Sequence, residues 1–84
     1  MSKKDKLWLS VMSGKQDKNI LFTDLCILLD TIEFEWRING SHHVYYRENI
    51  PEILNLQPNG NLAKPYQVKQ VRALIKKYNL EVKK

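Results

Sequence analysis

Phe34-Glu35-Trp36-Arg37-Ile38-Asn39-Gly40-Ser41-His42-His43-Val44-Tyr45-Tyr46-Arg47 is the stretch whose period decides the fold. Phe34, Trp36 and Ile38 alternate with Glu35, Arg37 and Asn39, a period of two that reads as a half-buried strand. Asn39-Gly40 then supplies the strongest short-range hairpin signal, because both residues tolerate positive φ. His42 to Arg47 forms the returning strand. A two-residue Asn39-Gly40 loop pairs Ile38 with Ser41 and Arg37 with His42. A three-residue loop that includes Ser41 pairs Ile38 with His42 and Arg37 with His43. The first register sets a cation beside an imidazole on one face; the second unites Trp36 and Ile38 with Val44. The residues alone leave both open.

Outward from the hairpin, a connection containing Asn49 and Pro51 leads to a third strand, Ile53 to Gln57, ended by Pro58-Asn59-Gly60. Pro65 suits the first position of a helix, and Lys64 before it is pushed out of the α region. On that helix Val68, Val71, Leu74, Ile75 and Tyr78 cluster on one side, with Lys69, Arg72 and Lys76 roughly opposite. Upstream, Thr23 is positioned to cap a helix whose apolar face is Leu25, Leu28, Leu29 and Ile32. Cys26 lies near that face and reads as a buried structural thiol. Two i,i+4 pairs, Leu7 with Val11 and Trp8 with Met12, mark a further short helix over residues 4–13, stopped by Ser13-Gly14. The expected fold is α+β: an α-β-β-β-α core with a three-stranded antiparallel sheet, helices on one face, and an extra N-terminal helix. That is the outline of a double-stranded-RNA-binding domain.

The 84 residues allow one domain, with no repeat or long linker. Residues 1–20 read as an accessory helix and linker, 21–80 as the core and 81–84 as a basic tail. So short a chain has little room for a deep substrate cavity. No apolar run approaches a membrane span, and no long apolar stretch follows the charged first residues, so a cytoplasmic protein is expected. The single cysteine excludes an internal disulfide and a multi-cysteine zinc site. The net charge of +5 is unevenly spread: residues 1–20 carry +3, residues 21–63 carry −4 and residues 64–84 carry +6. The basic end is a candidate phosphate-binding surface, weighed against a merely solvated helix face.

Histidine exchanges protons near neutral pH, so Ser41-His42-His43 is the candidate chemistry. Neighbours on a strand point to opposite faces, so the two imidazoles cannot serve one scissile bond or one metal ion. No nearby Asp, Glu or Cys cluster supplies metal ligands, and no cofactor is expected.

These segments resemble the HicA family of toxin–antitoxin ribonucleases over about Gly14 to Leu80. The resemblance is carried by Asp17-Lys18-Asn19-Ile20-Leu21-Phe22, by Phe34 to His42, by Ile53 to Pro58, and by Asn59-Gly60 with Lys64-Pro65-Tyr66-Gln67-Val68-Lys69-Gln70-Val71-Arg72. Many members have Gly before the aromatic that opens the first strand; this chain has Glu33, which bears on how the preceding helix ends. The resemblance implies a toxin that cuts messenger RNA, is silenced by a HicB-type antitoxin covering the His42 surface, and uses the histidine after Gly-Ser, here His42. Arg37, Ser41, Lys64, Lys69, Arg72 and Lys76 are then the candidate RNA contacts. The rival expectations are a non-catalytic RNA-binding module and an inactive relic that only binds antitoxin.

Overall fold

In the computed structural model, residues 3–81 are described; Lys83 and Lys84 of the expected basic tail lie outside them. Helices α1 (Lys3–Ser13) and α2 (Phe22–Thr31) precede strands β1 (Glu35–Asn39), β2 (His42–Arg47) and β3 (Ile50–Leu56), and α3 (Pro65–Tyr78) closes the chain. A short 3-10 turn, Asp17–Asn19, links the first two helices. The protein is an α+β fold of the expected order.

Helix α2 starts two residues earlier than a Thr23 cap would place it. Its N-cap is Leu21, which is extended and offers no side-chain cap, and Thr23 falls inside the first turn. The reason is tertiary: Leu21 pairs with Leu62, and the Phe22 N–H donates to the Asn61 carbonyl, so a neighbouring loop satisfies one of the free N–H groups at the helix start. Leu25, Leu28, Leu29 and Ile32 are all buried, as their spacing requires. At the other end the Phe34 N–H donates to Leu29 O and the Glu33 N–H to Asp30 O, a Schellman closure with Glu33 at φ 69°. A side chain in this left-handed region costs about 1 kcal/mol relative to glycine. Glu33→Gly is therefore expected to stabilise the fold by up to about 1 kcal/mol in urea denaturation, the lost 3.6 Å ion pair with Arg47 being exposed and weak.

The sheet order is β1-β2-β3, antiparallel throughout. Its register is neither of those expected. Asn39 pairs with His42, Ile38 with His43, Arg37 with Val44 and Trp36 with Tyr45, so the loop is Gly40-Ser41. Of the loop residues only Gly40 has positive φ, 63°, the pattern of a turn with glycine at its first central position. Asn39 stays in the strand. One face therefore carries Trp36, Ile38, His43, Tyr45, Leu54 and Leu56, and the other Arg37, Asn39, His42, Val44 and Asn55. Both main helices pack on the first face, where Tyr45, Leu54 and Leu56 join Leu25, Leu29, Val68 and Val71 in the core. Trp36 and Ile38 point to that side yet remain 48% and 59% exposed, because the helices stop short of β1. Of the expected half-buried strand only Phe34, just before β1, is buried, and Glu35–Asn39 are all exposed. Strand β3 begins three residues early, at Ile50: Asn49, at φ 71°, turns the chain sharply, and Pro51 is tolerated on an edge strand.

Helix α3 begins at Pro65 after an extended Lys64. It ends on Asn79 in the left-handed conformation, with the Leu80 N–H donating to Ile75 O. It runs back along β3. Near its start, Gln67 Nε2 donates to Asn55 O; near its end, Lys77 Nζ and Tyr78 Oη donate to the Glu52 carboxylate at 2.7 and 2.5 Å. Those two donors hold the Glu52 carboxyl below its ordinary range. A lowered folded pKa stabilises above the unfolded value, about 4.3, and the contribution disappears as pH falls through the folded value. Thermal melts of wild type and Glu52→Gln should accordingly differ at neutral pH and converge in acid.

Helix α1 buries Leu7 and Val11 and packs on α2 and α3. A clasp fixes its exit. Arg72 of α3 donates to both Asp17 carboxylate oxygens, at 2.9 and 3.1 Å, and to Val11 O at 3.0 Å. A β-carbon at Gly14, whose φ is 73°, would lie 3.5 Å from the same guanidinium.

Candidate functional site

His42 is the first residue of β2, exposed on the face that carries no helix. Its turn is anchored. Ser41 Oγ accepts a hydrogen bond from Gln57 Nε2 at 3.3 Å, and the Gln57 N–H donates to Gln67 Oε1 at 3.4 Å. Gln67, only 1% exposed, returns its amide N–H to Asn55 O at 3.2 Å. Both ends of that buried amide are therefore paired, which fixes the first turn of α3 against the end of β3 and, through Gln57, the hairpin tip. An amphipathic wheel missed Gln67 because a polar residue on the buried side carries no periodic signal.

His43 points the other way. Its ring lies 6.1 Å from the Trp36 ring at 29° and 5.1 Å from Phe22 at 70°, and its Nδ1 is buried without a hydrogen-bond partner. The two imidazoles thus sit on opposite sides of one strand, as the alternation of side chains demands. His43 lines a groove of about 370 Å³ between α2 and β1, together with Phe22, Cys26, Trp36 and Tyr45. Cys26 is half-buried rather than buried, and burial pushes its thiol up while a hydrogen bond with Tyr45 offsets part of the shift, which disfavours the thiolate.

The expected cations are not gathered around His42. Arg37 shares its face but pairs with Val44, diagonal to His42, and its guanidinium lies 5.9 Å over the Tyr46 ring. Lys64 immediately precedes the α3 turn that Gln67 and Gln57 tie to the hairpin. Lys69 is exposed one turn further on. Arg72 does not belong with a free phosphate-gripping set, since Asp17 and Val11 O occupy its guanidinium. Lys76 is exposed towards the far end of α3, about 16 Å along the axis from Pro65 at 1.5 Å per residue, beside Trp8 and Met12 of α1. Arg37 shares the open sheet face with His42, whereas Lys64 and Lys69 belong to the helix packed on the other face.

Among the described residues there is no group of three or more His, Cys, Asp or Glu side chains able to hold a metal ion. No helix among them is long and apolar enough to cross a membrane. No family model, curated protein or solved structure matches the chain.

Proposed function

We propose that this protein is a HicA-type RNA endonuclease, the toxin of a toxin–antitoxin pair, acting on messenger RNA in the cytoplasm. The observation that carries the reading is an exposed imidazole at the end of a tethered hairpin, on the open sheet face, within the Gly40-Ser41-His42 segment. The nucleophile is the RNA 2′-hydroxyl. Its oxygen bonds to phosphorus while His42 accepts its proton; the bond from phosphorus to the 5′-oxygen breaks, and that oxygen takes a proton from water. The products are a 2′,3′-cyclic phosphate and a 5′-hydroxyl. DNA, which lacks the internal nucleophile, is spared. Lys64 and Lys69 hold flanking phosphates as the RNA passes over the hairpin end, and Arg37 faces the same strand on the open sheet surface. Ser41 orients the turn through Gln57. A HicB-type antitoxin silences the enzyme by covering the His42 surface.

The test is incubation of purified transcript with wild type and His42→Ala, in the presence of EDTA. Shortened RNA with wild type alone supports the proposal. RNA retained in a gel shift but left intact by wild type favours a binding module, and no RNA affinity favours an antitoxin-binding relic.

A further inference from the structure

The two edges of the sheet are treated differently. The β3 edge is blunted by Pro51, and its pairing with β2 is broken by an irregularity between Tyr45 and Arg47. The β1 edge has neither device. It pairs with β2 alone, all five of its residues are exposed, and it leaves Trp36 and Ile38 open towards the helix side. In a two-residue hairpin the closing pair, Asn39 and His42, exchanges hydrogen bonds, so the N–H and C=O groups of Asn39, Arg37 and Glu35 point to β2. Those of Ile38 and Trp36 consequently point out of the edge.

We propose that the β1 edge is a self-association surface, on which a second copy of this chain adds its own β1 antiparallel to form a continuous six-stranded sheet. Charge selects the occupant and the register. With the two-fold axis at Trp36, the two Trp36 residues exchange backbone hydrogen bonds. On the open face, Glu35 then lies directly opposite Arg37 of the second copy, and Arg37 opposite its Glu35. On the helix side the two indoles meet across the axis, covering apolar surface now in water. An axis at Arg37 sets the two guanidinium groups against each other. An axis at Ile38 leaves Glu35 opposite Ser41 and Arg37 opposite Asn39, with no ion pair. Only the Trp36 register satisfies both the outward backbone groups and the alternating charges. Neither Glu35 nor Arg37 has an ion-pair partner within the chain among the described residues. His42 lies beyond the paired segment, whereas Arg37, a candidate RNA contact, belongs to both surfaces, and sedimentation reads the association without RNA.

The experiment is sedimentation equilibrium of the full chain over a concentration series, with circular dichroism to verify folding. Wild type is expected to dimerise. Glu35→Arg and Arg37→Glu, both on exposed side chains, should each raise the dissociation constant about tenfold or more, because two symmetric pairs become repulsive. The doubly exchanged chain, E35R/R37E, should recover dimerisation, and an equimolar mixture of the two single variants should form a heterodimer. A wild type that stays monomeric, single variants that dimerise like wild type, or a mixture without heterodimer would overturn the proposal; the last two outcomes exclude the Trp36-centred register itself.

Discussion

Replacement of His42 by alanine is expected to reduce RNA cleavage by at least about a hundredfold, the usual worth of a positioned acid or base, while leaving the melting temperature almost unchanged. The imidazole is exposed and its ring makes no aromatic stack, so its removal opens no cavity. The readout is the rate of transcript shortening at matched concentrations of folded protein. His43→Ala should give the reverse pattern. Its ring is packed between Trp36 and Phe22, so its removal costs stability, and cleavage per folded molecule persists. Equal catalytic losses in the two variants would contradict the separation of the rings onto opposite sheet faces. Undiminished cleavage by His42→Ala would remove the proposed mechanism.

Arg72→Gln is expected to lower the unfolding free energy by about 2–4 kcal/mol, a large share of the stability of so small a domain. The guanidinium side chain is 17% exposed and its Asp17 partner 10%, so the substitution leaves a nearly buried carboxylate without its two donors. The Val11 carbonyl at the exit of α1 loses a donor as well. Urea denaturation measures the loss, and a cycle with Asp17→Asn separates the pair from each single change: the double variant should lose much less than the sum. An Arg72→Gln protein as stable as wild type would mean that α1 is held by Leu7 and Val11 alone. Under the proposed function, Arg72, engaged by Asp17, is expected to contribute little to the salt dependence of RNA binding.

What could be read in the chain and what could not divides along sequence distance. The helix faces follow from local spacing: Leu25, Leu28, Leu29 and Ile32 on α2, and Val68, Val71, Leu74 and Ile75 on α3, are buried as their period requires. Pro65 marks its helix start for an equally local reason, a fixed φ. The hairpin turn needed more. Asn39-Gly40 and Gly40-Ser41 are both acceptable turn pairs, and because they shift the pairing by two residues both set Trp36 and Ile38 on the side of His43 and Tyr45, so the alternation of side chains rejects the three-residue loop but does not choose between these two. Thr23 lost its capping role to a loop contact with Asn61. Arg72 sat on a stripe that looks solvated on a wheel, yet its partner lies 55 residues away, where no periodicity reaches. Of the candidate site, His42 was legible through its motif, whereas the Gln57–Gln67 support behind it depends on two polar residues that only the packing of α3 on β3 brings together.

Because α3 doubles back along β3, the molecule is wired by neutral amides at one pole and by ions at the other. Gln57 and Gln67 secure the pole that holds His42, and they are indifferent to acid and to ionic strength over the range in which proteins stay folded. Glu52 and Lys77 secure the opposite pole and respond to both. Amide hydrogen exchange under mildly acidic or saline conditions should thus quicken first around Tyr78, while the histidine keeps its footing.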